Sequence, residues 1–117
     1  MALVADPQQL PAVVVALPAE IDMANASQVG EQLDAALTPT VSIVIADMTA
    51  TTFCDSSGIS MLVRARNRAI ATRTELRLVV SFTSVRRTLT LAGVDDLLPV
   101  HPSLSQALAA GPQPSQP

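Results

Sequence analysis

Two adjacent serines, Ser56 and Ser57, carry the most readily interpreted chemistry in this sequence. Asp55 precedes them and Gly58 follows, a pattern typical of a helix start, where an aspartate side chain accepts hydrogen bonds from first-turn amides. Those amides and the positive end of the helix dipole also hold oxyanions, including a phosphate on a serine. Two interpretations stay open: Ser56 is a phosphorylatable switch, or Asp55 and the serines only cap a helix.

Three aspartates occupy matching positions relative to the predicted elements. Asp22 follows the second predicted strand, Asp47 ends the third, and Asp55 precedes a helix. Sites in parallel sheets form at the carboxyl ends of strands, so we expect these carboxylates to converge there. They are then partner contacts, solvated loop residues, or a receiver-like cluster that gathers Mg²⁺ for aspartyl phosphorylation. The chain has no lysine, which counts against the receiver.

Other reactive residues argue against catalysis. Cys54 is the single cysteine, so a small core residue is a better interpretation than a redox switch, and a thiolate metal cage would lack ligands. His101 stands alone without a Gly-x-Ser-x-Gly elbow, which disfavours a hydrolase triad. No Gly-x-x-x-x-Gly-Lys loop occurs. We therefore expect a protein that is not an enzyme and that holds no metal or other cofactor.

Charge is divided along the chain. The first 55 residues hold seven acidic side chains and no basic one, and all seven basic residues are arginines between Arg64 and Arg87. Arg64 and Arg68, one helical turn apart, form either a basic stripe for a partner or ordinary solvated surface. A net charge of −3 and an aromatic content of 2% argue against nucleic acid as a ligand. No apolar run approaches the ~20 residues of a membrane helix, so we expect a cytoplasmic protein without membrane contact.

The elements that must position these residues alternate between strands and helices. Short apolar runs predict strands at residues 3–5, 12–17, 42–46, 76–80 and 97–100, the first two as an antiparallel hairpin and the third in mid-sheet. Helical spacing predicts helices over residues 24–37, from Ser56 or Ser57 to residue 70, from Ser84 to Gly93, and from Ser103 to residue 108. Asn25 or Asp22 would cap the first helix. The second would bury Ile59, Leu62, Val63, Arg66, Ala69 and Ile70. Residues 1–110 thus form one domain with a mixed sheet, and residues 111–117 a disordered Pro/Gln/Ser tail.

The serine motif belongs to a longer pattern. It stands in the run Phe53-Cys54-Asp55-Ser56-Ser57-Gly58-Ile59, and this run with the apolar helix after it resembles the STAS-domain anti-sigma factor antagonists. The order and spacing of that family extend over residues 12–108, through Ala19-Glu20-Ile21-Asp22 and Leu91-Ala92-Gly93-Val94. The resemblance implies an α/β fold: a STAS-like mixed sheet of four to five strands with an N-terminal antiparallel hairpin, covered by about four helices.

The resemblance also implies a partner-switching cycle. In that cycle the unphosphorylated antagonist binds an anti-sigma factor that is also a serine kinase, and a sigma factor is released for transcription. Phosphorylation of Ser56 ends the binding, with Ser57 as the fallback acceptor, and a separate protein phosphatase reverses it. The kinase binds the ATP. The residues expected to bind the partner are Asp22, Asp47, Asp55, Ser56, Ser57, Gly58 and Arg64.

Three positions depart from the family pattern. Ala19 replaces the glycine usual before Glu20, Pro18 precedes it, and Ser60 stands where glycine is common. Because alanine adopts positive φ less freely than glycine, the loop that presents Asp22 is expected to differ. A second hypothesis is therefore kept: a STAS-type scaffold, not phosphorylated, in a transport, lipid-trafficking or stress-sensing assembly. The sequence leaves the oligomeric state open.

Overall fold

The computed structural model describes residues 2–4 and 11–111. Its elements in chain order are β1 (Ala2–Val4), β2 (Ala12–Ala16), β3 (Glu20–Ile21), α1 (Ala26–Ala35), β4 (Ile43–Met48), β5 (Phe53–Cys54), α2 (Ser56–Ala71), β6 (Glu75–Val80), α3 (Thr83–Leu91), a 3-10 turn (Val94–Asp96), β7 (Val100–His101) and α4 (Leu104–Ala109). The main sheet has the order β1-β2-β4-β6-β7, and β3 pairs with β5 in a second sheet. β1 is antiparallel to β2 and the other pairs are parallel. The predicted fold class is confirmed.

β4 lies at the centre of the main sheet, as its apolar run predicted. Its first four residues are all buried, because a strand pairs along each edge and a core lies against each face. Val44 and Ala46 face the larger core, which α1, α2 and α3 complete. Ile43 and Ile45 face a smaller core that α4 covers. The carboxyl end of β4 is therefore a firm base for the loops that follow it.

The second sheet extends the β2–β4 pair beyond a break in both strands. After the break the two segments pair again in the same parallel sense, with Ile21 opposite Cys54. The buried Thr51 hydroxyl donates to the Pro18 carbonyl oxygen at 2.8 Å and ties the two interruptions together. Neither two-residue strand was predicted, because a period of two cannot be recognised over so short a segment. This small sheet sets the position of the residues on which the serine motif depends.

The helices α1 and α2 differ in detail from the predictions. Helix α1 begins at Ala26, and the side chain of Asn25 makes no cap hydrogen bond. It donates instead to the Glu20 carbonyl oxygen at 2.8 Å and so fastens the preceding loop. Helix α2 begins at Ser56 as predicted, but its buried face is rotated by about one residue and includes Met61 and Ala65. The face turns because α2 packs on α1 as well as on the sheet.

In the C-terminal third of the chain, the predicted helix ends agree more closely with the structure. Gly93 ends the turn after α3 with a φ of 79°, and Ser103 caps α4 by accepting from the Gln106 amide at 3.2 Å, both as predicted. The last strand is displaced to Val100–His101, because the 3-10 turn occupies the chain before it and buries Leu98. Residue 5 lies outside the described residues. Of the predicted hairpin connection, residues 6–11, only residue 11 is described, and of the predicted tail, residues 111–117, only residue 111.

A buried arginine, which the sequence did not reveal, attaches α4 to the sheet. Arg77 on β6 is fully buried and forms an ion pair with Glu75, with 3.0 Å between Nε and Oε1. Its guanidinium also donates to the carbonyl oxygens of Ala107, Ala110 and Gly111 at 2.6, 2.9 and 3.0 Å. These carbonyls lie at the negative end of α4, so the cation satisfies groups that the helix itself leaves unpaired.

Within the described ranges, no helix has both the length and the apolar character needed to span a bilayer.

Candidate functional site

The serine motif opens α2, and Asp55 fixes its geometry. The Asp55 backbone is extended, with φ −93° and ψ −171°, and its Oδ1 accepts from the amides of Ser57 at 2.8 Å and Gly58 at 3.2 Å. The Asp55 amide donates to the Ile21 carbonyl oxygen at 3.1 Å. The helix start is therefore held by its own cap, as the Asp-Ser-Ser-Gly pattern predicted, and also by the small sheet, which was not predicted.

Ser56 is the accessible serine of the pair. Its side chain is exposed at the first helical position, whereas Ser57 is half-buried. A kinase must bring its active site up to the hydroxyl, so exposure favours Ser56 over Ser57 as an acceptor. The structure thus separates two serines that are chemically alike in the sequence.

The first-turn amides do not form an empty cradle for a phosphate. Asp55 already occupies those of Ser57 and Gly58. A phosphate on Ser56 would have to displace the Asp55 carboxylate to reach them, or else remain beside it as a second anion. The arrangement therefore favours a phosphate that projects from the surface and adds negative charge there.

Gly58 allows α2 to approach the small sheet closely. A Cβ atom at this position would lie 2.5 Å from Cys54 Sγ and 2.8 Å from Ile21 Cγ2. Both distances are shorter than real Cβ contacts, so glycine is required here for close approach and not for an unusual backbone angle. The contact keeps the Ser56 end of the helix pressed against β3 and β5.

The three predicted aspartates have separate local partners. Asp22 follows β3 as Asp55 follows β5, so the pairing of these strands places the two carboxylates at neighbouring strand ends. Asp22 Oδ1 accepts from the Ala24 amide at 2.9 Å. Asp47 belongs to the main sheet, and its Oδ1 accepts from the Thr49 amide at 3.0 Å. Across residues 2–4 and 11–111, no three histidine, cysteine or acidic side chains gather closely enough to hold a metal ion.

The departures at Ala19 and Ser60 have mild consequences. In the described part of the chain only Arg73 and Gly93 have positive φ, so Ala19 needs no left-handed backbone. Ser60 is exposed on α2, where its side chain fits without displacing a neighbour. The loop that presents Asp22 is held instead by Asn25, whose Oδ1 accepts from the Asp22 amide at 3.0 Å.

Cys54 lies beneath the helix start. It is buried, and burial together with the nearby Asp55 charge raises the pKa of its thiol to about 11. A thiol with so high a pKa is almost entirely protonated near neutral pH and is a poor nucleophile. The geometry is that of a core residue in contact with the helix.

The two arginines of the predicted basic stripe, Arg64 and Arg68, have different surroundings. Arg68 reaches from α2 to Asp34 on α1, with 3.2 Å between Nη1 and Oδ2. Arg64 is exposed one turn closer to Ser56, and both arginines line a groove between the two helices together with Glu31. An exposed ion pair of this kind contributes about 0–1 kcal/mol, so it adds little to the stability of the fold.

Three exposed apolar residues near the motif were not predicted. Met23 is 84% exposed, Phe53 51% and Phe82 44%. Phe53 and Phe82 are the only aromatic residues in the sequence, and that scarcity was the signal that could have drawn attention to them. They follow the carboxyl ends of the adjacent strands β4 and β6, while Met23 follows Asp22.

Solved structures with the same fold include anti-sigma factor antagonists. The chain is similar to an anti-sigma factor antagonist from Mycobacterium paratuberculosis, at 24% identity and a TM-score of 0.75 over 92% of this chain and 90% of that one. It is similar to the Bacillus cell fate determinant SpoIIAA in two forms. The unphosphorylated form gives 20% identity and a TM-score of 0.68 over 91% and 92% of the two chains. The phosphorylated form gives 19% and 0.61 over 91% and 96%.

A fourth similar structure is that of a transporter. The murine Slc26a9 anion transporter matches at 22% identity and a TM-score of 0.68 over 83% of this chain, but over only 17% of the transporter chain. No match was found among curated protein sequences. At these identities the structural matches establish the fold.

Family membership comes from the sequence itself. The family model of the STAS domain matches residues 4–107. The chain therefore belongs to the STAS domain family, and the resemblance in its serine motif is confirmed at that level.

Proposed function

We propose that this protein is an anti-sigma factor antagonist that acts in the cytoplasm by binding and not by catalysis. Unphosphorylated, it binds an anti-sigma factor serine kinase, and a sigma factor is released. Phosphorylation of Ser56 ends the binding, and a protein phosphatase restores it. The similarity of the fold to antagonists, one of them solved both with and without phosphate, supports this role.

The observation that carries the proposal is the exposure of Ser56 at the capped start of α2. Its hydroxyl is accessible, while Asp55 and Gly58 hold the backbone on either side against the small sheet. A kinase therefore meets a rigid acceptor, and phosphorylation need not unfold the helix. Ser57 is a secondary acceptor because it is half-buried.

The switch itself is electrostatic. The proposed contact surface contains Asp22, Asp55, Ser56 and Ser57, with Asp47 and Arg64 at its margins. Gly58, which the sequence also offered as a contact, is buried beneath this surface and holds the helix start in place. A phosphate adds roughly −1.5 to −2 charges beside the Asp55 and Asp22 carboxylates. A partner surface fitted to a neutral hydroxyl would then have to desolvate that charge or lie against it, which weakens the complex.

The experiment compares substitutions at Ser56 in one background. Purified wild type, Ser56→Ala, Ser56→Glu and Ser105→Glu are immobilised, and the anti-sigma-class serine kinases of the source bacterium are tested for binding and ATP-dependent phosphorylation. Ser105 is an exposed serine on α4, on the opposite face of the sheet, so Ser105→Glu controls for added charge.

We expect wild type, Ser56→Ala and Ser105→Glu to bind one kinase equally, and Ser56→Glu to bind it at least about tenfold more weakly, a change of ~1.4 kcal/mol. Phosphate should be incorporated into wild type and not into Ser56→Ala. Equal binding by Ser56→Glu would contradict the switch. If no such kinase bound wild type, the antagonist role would fail.

A constitutive scaffold is the second candidate. The STAS-like portion of the murine anion transporter shows that this fold also stands within a much larger protein. In a scaffold Ser56 would act only as the first residue of a capped helix. Retention of the same partners by Ser56→Ala and Ser56→Glu, without phosphorylation, is the result that would favour it.

A further inference from the structure

One short helix covers the smaller core. Helix α4 packs over Ile43, Ile45 and Val79, on the face of the main sheet opposite to α1, α2 and α3. Its main contacts with the sheet are on β6 and β7. A change that loosens α4 therefore uncovers an aliphatic face of the sheet.

Arg77 is the polar attachment of α4 to this face. Its buried guanidinium donates to the carbonyl oxygens of Ala107, Ala110 and Gly111. Residues 102–111 carry no charged side chain of their own, so the attachment depends on a cation that the sheet supplies. A second cation beside Arg77 would oppose docking of α4, because the covering helix keeps water from screening the two like charges.

His101 lies on the same face of the sheet, close to Arg77. It is the register partner of Val79 in the parallel pair β6–β7, and Val79 faces the smaller core. Paired residues on neighbouring strands point to the same side, so His101 points toward α4 as well. Arg77 precedes Val79 by two residues and shares this side. Arg77 and His101 are therefore diagonal neighbours on the surface that α4 covers.

The two ring nitrogens of His101 have different surroundings. Nε2 is enclosed and has no hydrogen-bond partner among the described residues, whereas Nδ1 is not enclosed in this way. A neutral ring carries one proton, which can reside on Nδ1 and leave Nε2 bare. Protonation places a hydrogen on both nitrogens, so a charged N–H would be enclosed without an acceptor.

The charged groups that act on His101 do not compensate this cost. Burial has the largest effect and lowers the pKa of His101. Arg77 on β6 and Arg86 on α3 lower it as well, and Glu75 on β6 acts in the opposite direction. Glu75 is already paired with Arg77, and α4 contributes no charged group. A proton on His101 is therefore unfavourable while α4 is in place.

We propose that His101 is an acid-sensitive switch for α4: uptake of a proton by the ring releases α4 from the sheet, while the rest of the fold stays intact. Release lets water reach Nε2 and Arg77 and uncovers the aliphatic face. The released form binds the proton near the ordinary pKa of 6.5, and the docked form binds it only at lower pH. Docking is therefore strongest above pH 6.5 and weakens as the pH falls below that value. Ser56 belongs to the opposite face, so this switch does not depend on the proposed function.

The test measures amide hydrogen exchange by NMR in untagged wild type and in His101→Gln. His101 is the single histidine, so its titration is followed through one ring signal, and glutamine is polar but does not titrate. The reporters are the amides of Ala107 and Ala110, which donate to the carbonyl oxygens of Ser103 and Gln106 at 3.1 Å. The amides of β4, the central strand, report unfolding of the whole protein.

We expect the protection factors of the two α4 amides to fall at least about threefold in wild type between about pH 7.5 and about pH 5. In His101→Gln they should change less than about 1.5-fold. In wild type at about pH 5 they should also be at least about tenfold below those of β4, because α4 then opens separately from the rest of the protein.

Protection of α4 that does not change with pH in wild type, or that falls equally in His101→Gln, would overturn the switch. Equal protection of α4 and β4 at about pH 5 would also overturn it, because α4 would then open only when the whole protein unfolds. If His101→Gln did not fold, wild type alone would decide. A loss of α4 protection that begins near pH 6.5 and levels off once the ring is protonated supports the switch, and a loss in any other pH range overturns it.

Discussion

Replacing Gly58 with alanine tests the close contact between α2 and the small sheet. The added Cβ would lie 2.5 Å from Cys54 Sγ and 2.8 Å from Ile21 Cγ2. Ordinary contact begins near 3.4 Å, so these atoms must retreat by about 0.9 and 0.6 Å. Ile21 is fully buried on a paired strand, so the helix start has to move instead.

Two opposing terms set the magnitude. Overpacking a buried site costs roughly 1–3 kcal/mol. Exchanging glycine for alanine inside a helix returns about 0.5–1 kcal/mol. We therefore expect Gly58→Ala to lower the free energy of unfolding by about 1–2 kcal/mol, which at roughly 4 °C per kcal/mol lowers Tm by several degrees.

Gly30→Ala is the matched control. Gly30 is also a buried glycine in a helix, but its Cβ would meet only Met61 Cγ at 3.2 Å, part of a flexible side chain. Here the gain in helix propensity should prevail, and stability should be unchanged or higher by up to about 1 kcal/mol. The two variants undergo the same chemical change, but only Gly58→Ala is expected to lower the free energy of unfolding.

Urea unfolding of wild type and both variants measures the difference directly. A double variant, Gly58→Ala with Cys54→Ala, should recover part of the loss, because it removes the closer of the two clashing atoms. If Gly58→Ala were as stable as Gly30→Ala, the packing argument would be refuted, and Gly58 would matter only for the partner. Weakened kinase binding in a fully stable Gly58→Ala protein would point the same way.

Three further predictions concern buried or half-buried ionisable groups. Arg77→Met should lower the free energy of unfolding by about 3 kcal/mol and speed amide exchange in α4. Arg77→Lys should lower the free energy of unfolding by a smaller amount. Equal stability of wild type and both variants would show that the guanidinium does not hold the helix. Burial and the nearby Arg77 lower the pKa of His101. The unfolded chain is therefore protonated first as pH drops below about 6.5, and the free energy of unfolding should fall there more steeply in wild type than in His101→Gln. The pKa of the Cys54 thiol is raised from 9.0 to about 11. At pH 8 the thiol should therefore react with iodoacetamide at least ~100-fold more slowly in the folded protein than in urea. Comparable rates would mean that the thiol is accessible in the folded protein.

Much of the fold could be predicted because its signals are local. The apolar run of β4, the helical spacing after Ser56, Gly93 after α3 and Ser103 before α4 each report a preference of a few neighbouring residues. The order of alternating elements then leaves few topologies, since parallel strands need crossover helices. The predictions were wrong or incomplete where contacts between segments distant in sequence determine the structure. The β3–β5 pair exists because the β2–β4 pair resumes after a break, and the rotated face of α2 reflects its contact with α1.

The candidate site divides in the same way. By itself the sequence determined that Asp55 caps a helix beginning at Ser56, because capping needs only groups within three residues. Only the tertiary structure decided that Ser56 is exposed while Ser57 is half-buried, that Gly58 is required by Cys54 and Ile21, and that Arg77 is buried against α4. It alone placed Phe53 and Phe82 at the same end of the molecule. These properties depend on which surfaces of distant segments meet, and that is fixed by packing across the whole chain and not by neighbours in sequence.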